Sequence, residues 1–145
     1  MGMNRAIYFF VLLLGVAVGF SCRKSIVTPD TTADLPPAMT PELRIFNATP
    51  WKFYNCTVDP SGTLSDNPGP DAFEFGQVGV NAKTGYKSFS KLFRYSWVRL
   101  KMKYKTYYLK PYDYTGETPL QTGRYTYKLT YAPTNDRLNL ELIKD

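Results

Sequence analysis

Two carboxylates four residues apart, Asp113 and Glu117, come closest in type and spacing to a catalytic pair. Two carboxylic acids can bind a cation, or serve as acid and base in the hydrolysis of a glycosidic bond. Both lie in DYTGETPLQTG, residues 113–123, a segment rich in turn-forming residues. We therefore expect loop carboxylates that accept hydrogen bonds from backbone N–H groups, and we do not expect an enzyme.

Other combinations of reactive side chains are scarce. The sequence contains no histidine, which excludes Ser–His and Cys–His nucleophile pairs and removes the commonest zinc ligand. Three acids, Asp59, Asp66 and Asp71, lie in a segment dense in Gly and Pro, but their spacing of seven and five differs from the alternate-residue spacing of an EF-hand. We expect no catalytic residue, no metal and no cofactor.

Positive charge is concentrated in the middle of the chain. Between Phe75 and Tyr112 there are nine bases and no acid. In the predicted strand from Tyr95 to Met102, alternation places Arg99, Lys101 and Lys103 on one face beside Trp97. Such a stripe could bind lipid phosphates, acidic glycans or an acidic protein. The alternative is a solvated outer face whose lysines protect a sheet edge from aggregation.

Tyrosines are the second candidate for binding. Tyr107 and Tyr108 are adjacent, so they must face opposite sides of a strand, and we expect one of them to be exposed. Exposed Tyr and Trp can stack on sugars or anchor a protein partner, whereas aromatic ladders between strands would only stabilise the sheet. The candidate ligand or partner surface comprises Trp97, Arg99, Lys101, Lys103, Tyr107 and Tyr108.

The amino-terminal segment predicts export. A basic start, Met1 to Arg5, precedes an apolar run of 15 residues from Ala6 to Phe20, shorter than the about 20 that a membrane-spanning helix needs; this is typical of a signal peptide. Gly19-Phe20-Ser21-Cys22 resembles the lipobox of bacterial lipoproteins. The resemblance implies cleavage after residue 21 and lipidation of Cys22, which would anchor the protein to the membrane. An ordinary secretory signal, with Cys22 bridged to Cys56, is the alternative.

The remainder divides into a tether and one domain. Residues 22–41 contain the lipidated cysteine and a segment with four prolines and no apolar periodicity, which predicts a flexible tether. Residues 42–145 suffice for one domain. Arg23-Lys24-Ser25 follows Cys22, whereas surface-exported Bacteroidota lipoproteins carry an acidic pattern there. The resemblance therefore favours the periplasmic side of the outer membrane, where nucleic acid is not an expected partner.

Alternating apolar and polar residues predict an all-β domain of seven or eight short strands. The turn spacing favours an antiparallel two-sheet β-sandwich, immunoglobulin-like or transthyretin-like. We expect the first two strands to be paired or adjacent, and a hairpin turn at Lys103-Tyr104-Lys105. The expected strands are Glu42–Asn47, Trp51–Val58, Phe73–Val80, Tyr86–Phe89, Tyr95–Met102, Thr106–Tyr112, Arg124–Tyr131 and Arg137–Ile143.

A second resemblance concerns the carboxy-terminal half. The segment DYTGETPLQTGRYTY, Asp113 to Tyr127, is similar to a segment of small uncharacterised Bacteroidota lipoproteins. The resemblance implies a Tyr-rich β domain and envelope localisation, and it supplies no active residues. We expect a non-enzymatic, lipid-anchored accessory or binding module with an envelope protein or glycan as partner. The alternative is a carbohydrate-binding module that uses Trp51, Trp97 and surface tyrosines.

Overall fold

The computed structural model describes residues 35–61, 67–111 and 113–145, which form eight β-strands and one short 3₁₀ helix. Within these ranges, no helix has the length and apolar character needed to span a membrane. The 3₁₀ helix, Pro133–Asn135, joins the last two strands. The strands are β1 (Pro41–Asn47), β2 (Phe53–Asp59), β3 (Phe73–Val78), β4 (Lys87–Ser88), β5 (Trp97–Met102), β6 (Lys105–Leu109), β7 (Gly123–Ala132) and β8 (Arg137–Lys144).

The strands form two four-stranded sheets. Sheet 1 has the order β4-β1-β7-β8 and sheet 2 the order β3-β2-β5-β6. Every pair is antiparallel except β1 and β7, which are parallel. The predicted two-sheet β-sandwich is confirmed, with eight strands. The short β4 covers only part of the strand expected from Tyr86 to Phe89.

The first two strands are neither paired nor adjacent in one sheet, contrary to the prediction. β1 belongs to sheet 1 and β2 to sheet 2. The buried Asn47 side chain organises the connection, because its Nδ2 donates to the Trp51 carbonyl at 2.8 Å and its Oδ1 accepts from the Thr49 N–H at 3.0 Å. These bonds turn the chain from one sheet to the other, which alternation in the strands could not reveal.

The core lies between the inner faces of the sheets. Alternate residues of β1, β5 and β7 point inward, as the period of two requires. In β2, Phe53 and Cys56 both join the core although they are three residues apart. A bulge accounts for this, because the register shifts around Cys56 and Asn55 has a φ of 50°. The core contains Leu43, Ile45, Phe53, Cys56, Val58, Val98, Leu100, Met102, Tyr125, Tyr127 and Leu129, among others.

The two sides of the sandwich are closed differently. Along β1, the segment between β3 and β5 forms backbone hydrogen bonds of 2.9 Å from Asn47 N to Ala82 O and from Thr84 N to Ile45 O. On the opposite side, β6 and β8 are the terminal strands of their sheets and lie near each other. A groove opens between these two edges.

Candidate functional site

Four side chains form a platform on the outer face of sheet 2: Tyr54, Arg99, Lys101 and Tyr108. In the strand register Tyr54 lies opposite Lys101, and Arg99 lies opposite Tyr108. Opposite residues in an antiparallel pair point to the same face. With strands about 4.8 Å apart and residues about 3.4 Å apart, the two tyrosine Cα atoms are about 12 Å apart across three strands. Along the diagonal from Tyr54 to Tyr108, the side chains follow the order ring, cation, cation, ring.

The charges of the platform are not neutralised by neighbouring acids. In the described part of the chain, no carboxylate lies within ion-pair distance of Arg99 or Lys101. Glu74 is separated from Arg99 by Thr57, which corresponds to two strand spacings, about 10 Å. Asp59 is fully buried and accepts hydrogen bonds from the backbone N–H groups of Ser61 and Gly69. The platform therefore presents uncompensated positive charge.

The tyrosines of the platform are accessible. Tyr54 is 39% exposed and Tyr108 is 41% exposed. A cation lies beside each ring, with Lys52 Nζ at 5.3 Å from the Tyr54 centroid and Lys110 Nζ at 4.9 Å from the Tyr108 centroid. Each ring can still offer apolar surface for stacking, while the surrounding cations keep the local potential positive.

Trp97 does not belong to the exposed surface, contrary to the prediction. Its side chain is 1% exposed, although the register keeps it on the outer face, opposite Asp59. The Arg99 guanidinium lies over the indole at 5.7 Å, and the Tyr108 ring packs at 6.2 Å. In the described residues the indole Nε1 has no hydrogen-bond acceptor. Trp97 therefore supports the platform from below.

Lys103 and Tyr107 are also separate from the platform. Lys103 lies in the two-residue turn between β5 and β6, with a left-handed φ of 56°, and its Nζ lies 3.6 Å from the centroid of Trp51. Because the turn bends the chain away from the strand direction, Lys103 does not continue the face of Arg99 and Lys101. Tyr107 is 8% exposed and points inward, so Tyr108 is the exposed member of the pair, as the adjacency predicted.

Tyr107 instead joins a polar cluster centred on Asp136, in the turn before β8. Asp136 Oδ1 accepts hydrogen bonds from the hydroxyls of Tyr107 at 2.7 Å and Tyr131 at 2.9 Å, and Lys105 donates to Oδ2. The Lys105 ammonium, followed by the two hydroxyls, holds the pKa of Asp136 below its usual range. The hydrogen bond to Asp136 raises the pKa of Tyr107. This cluster connects β6 of sheet 2 to sheet 1.

Trp51 is not an exposed sugar platform either. It is half-buried, covered by Lys103 and in edge-to-face contact with Tyr131 at 4.9 Å. The carbohydrate-binding alternative therefore loses both tryptophans as direct contacts. It retains the exposed tyrosines.

The loop acids line the groove between β6 and β8, which has a volume of about 780 Å³. Asp113 accepts a hydrogen bond from the Thr115 N–H at 3.0 Å, which confirms its predicted role in bracing the loop. Glu117 lines the same groove. Among the described residues there is no group of three or more potential metal ligands. The loop with Asp59, Asp66 and Asp71, in which no metal was expected, includes Asp66, which lies outside the described residues.

Cys56 is a free thiol in the core, in the part of the chain that the structure describes. Burial raises the pKa of the thiol to about 12, so the reactive thiolate is suppressed at neutral pH. Cys56 therefore acts as a small apolar side chain of the core. Cys22, and with it the proposed lipid anchor, lies outside the described residues.

Sequence reasoning missed Tyr54 as a partner of the positive stripe. The bulge at Asn55 shifts the register of β2, so counting in twos from the core residues Cys56 and Val58 places Tyr54 on the wrong face. The charges were found because β5 alternates without interruption. The two tyrosines of the platform could be identified only from the pairing between strands.

Comparisons with known proteins add no assigned activity. No protein-family model and no curated protein matches the chain. Among solved structures, a similar one is the NMR structure of a protein from Eubacterium rectale, with 13% sequence identity and a TM-score of 0.46. The similarity covers 73% of this chain and 90% of that one.

Proposed function

We propose that this protein is a non-enzymatic binding module, anchored by lipid at Cys22 to the bacterial outer membrane, and that its platform binds acidic carbohydrate. The observation that carries the proposal is the row of two exposed rings and two unneutralised cations on one face of sheet 2. The periplasmic side is the proposed location, since basic residues follow Cys22.

Acidic carbohydrate fits the chemistry of the platform better than the other polyanions. Sugar rings offer C–H faces that stack on Tyr54 and Tyr108, while carboxylate or sulfate substituents match Arg99 and Lys101. A lipid surface would satisfy the cations, but it would leave the faces of the two tyrosine rings without the flat C–H surface on which they stack. Nucleic acid would match both groups, but an exported domain does not meet it.

The absence of histidine and the burial of the one described thiol are consistent with a binding role. The proposed anchor would raise the local concentration of the module at the membrane without contributing to ligand contacts. Ligand capture near the envelope is therefore the proposed function. The charge of a glycan, and not its source, determines whether it binds.

The test is titration with a uronic-acid pentasaccharide and, in parallel, a neutral pentasaccharide, monitored by calorimetry and Trp fluorescence. We expect binding of the acidic sugar alone, about tenfold weaker after Lys101→Ala or Tyr108→Ala, which corresponds to about 1.4 kcal/mol. Raising NaCl from 50 to 500 mM should weaken it further, since the contacts are exposed. Lys128→Ala, on the outer face of sheet 1, is the matched control and should bind as the wild type does.

Equal binding of acidic and neutral sugars would contradict the charge argument. If the protein bound anionic phospholipid vesicles and did not bind the acidic sugar, the proposed ligand would be a lipid surface and not a carbohydrate. The anchor is tested separately, by the intact mass of protein from host membranes. A mass of residues 22–145 without added lipid would remove the anchor from the proposal and leave the platform untouched.

A further inference from the structure

The groove between β6 and β8 has the shape of a linear binding site. Five consecutive residues, 107–111, line one wall and five consecutive residues, 136–140, line the other. Five extended residues span about 16 Å. The volume of about 780 Å³ falls within the range of about 300–1,000 Å³ that is typical of ligand sites. The groove therefore fits an extended chain better than a compact molecule.

One wall of the groove is an unpaired sheet edge. β8 pairs along its whole length with β7, and no strand of the described residues lies on its other side. An edge strand presents alternate N–H and C=O groups that can pair with another extended chain. β1 would have a similar edge beyond β4, but the connection between β3 and β5 bonds to it. Of β1 and β8 in sheet 1, only β8 therefore has an unpaired edge that faces a groove.

Four apolar or aromatic side chains line the inner side of the groove. Leu138 is 6% exposed and Tyr107 is 8% exposed, while Leu109 and Leu140 are half-buried. A strand added beside β8 would direct every second side chain toward this surface. Main-chain hydrogen bonds would give affinity, and the apolar surface would select the inward side chains.

The two ends of the groove carry opposite charge. Arg137 lies at the end beside the Asp136 cluster, and Asp113 and Glu117 lie in the loop beyond Pro111, at the other end. All three are exposed. In the described residues, none of them has an oppositely charged side chain within ion-pair distance. Asp136, in contrast, is already paired with Lys105.

We propose that the groove binds an extended peptide segment of a partner protein, which adds as a strand to β8 with its acidic end at Arg137 and its basic end at Asp113 and Glu117. Apolar residues alternate between these ends. This site borders the platform on the outer face of sheet 2 and shares Tyr108 with it, but the proposed strand pairing is with β8, which contributes no residue to the platform.

The probe is a fluorescein-labelled nine-residue peptide of alternating valine and threonine, with lysine at one end and glutamate at the other, made in both orders. We expect fluorescence anisotropy to show saturable binding of one order, at least fivefold tighter than the other. Amide hydrogen exchange should slow along residues 137–143 when the peptide is bound. Protection outside β8 and β6, or equal affinity for both orders, would overturn the proposal.

Charge reversal makes the test specific. Arg137→Glu should weaken binding at least tenfold, and a peptide with lysine in place of its glutamate should regain it. Lys144→Glu is the matched control, because it makes the same change on the same strand but outside the groove; its affinity should stay within twofold. Unchanged binding by Arg137→Glu would overturn the proposal. So would pairing of β8 with a second copy, detected as a dimer by light scattering when the peptide is absent.

Discussion

The outer faces of the two sheets use their charges in opposite ways. On sheet 1 three cations are paired: Arg44 with Asp145 at 3.1 Å, Arg124 with Glu42 at 2.9 Å, and Lys128 with Glu141 at 2.9 Å. Arg137, at the start of β8, is the exception among the outward cations of β1, β7 and β8. On sheet 2, Arg99 and Lys101 have no such partner among the described residues. Paired charges stabilise the fold that contains them, whereas unpaired charges remain available to an external anion.

Arg44 shows how far this difference extends. It is 6% exposed, its Nε donates to Thr126 Oγ1 at 2.9 Å, and its guanidinium lies 4.8 Å from the Tyr86 ring centroid. Asp145 also accepts hydrogen bonds from Thr126 and Tyr86. The Arg44 charge is therefore enclosed within a network, while the Arg99 charge rests on Trp97 and faces outward.

The same substitution on the two faces should lower stability by different amounts. Arg44→Ala leaves a largely buried carboxylate without its cation, and should lower the free energy of unfolding by about 3 kcal/mol. Arg99→Ala should lower it by only about 1 kcal/mol, since packing on Trp97 is lost but no ion pair is. Urea unfolding monitored by circular dichroism measures both. A loss of more than about 2 kcal/mol for Arg99→Ala would remove the distinction between the faces.

Introducing an ion pair on the outer face of sheet 2 should make that face resemble the outer face of sheet 1. Thr106 is exposed and lies opposite Lys101, so Thr106→Glu supplies a cross-strand carboxylate. We expect acidic-sugar affinity to fall about tenfold, or about 1.4 kcal/mol, while stability rises by about 0.2–1 kcal/mol. Thr106→Gln, which has the same shape without charge, is the control. Equal affinities for the two variants would show that the charge of Lys101 does not contact the ligand.

The effect of acid on stability should distinguish the Asp136 cluster from the charged groups on the outer faces of the two sheets. Because its pKa is lowered in the folded protein, ionised Asp136 stabilises the fold above the carboxyl's unfolded pKa of about 4, and this contribution is lost as pH falls below it. The melting temperature of the wild type should exceed that of Asp136→Asn at pH 7, and the difference should shrink below pH 4. A difference that stays constant from pH 7 to pH 3 would contradict this assignment.

The sequence predicted the strands well wherever alternation was uninterrupted. β7 and β8 match their predicted bounds to within one residue, because alternate residues point to the core and the APTND segment supplies the turn. β5 gave the positive stripe for the same reason, although the stripe ends at Lys101. The turn at Lys103 redirects the backbone, and a period of two cannot indicate where a strand stops.

Burial on the outer face was not predictable from alternation. Trp97 occupies a position that alternates with core residues, and the period alone assigns it to solvent. It is buried because Arg99 and Tyr108 pack over it, and that contact depends on β6 lying beside β5. Likewise, the groove exists because β6 and β8 end their sheets on the same side. Such features follow from the order of strands, which no single segment encodes.

The parallel pairing of β1 and β7 has a consequence for the order of folding. Arg44 of β1 is bonded to Thr126 of β7, 82 positions later in the chain, so β1 emerges from the ribosome long before its neighbour exists. All four strands of sheet 2, in contrast, lie between residues 53 and 109. Closing such a distant contact is entropically costly and slows folding. We expect sheet 2 to assemble first and sheet 1 to close last, so a chain interrupted before β7 would hold its first strand with only the short β4 and the segment before it as partners.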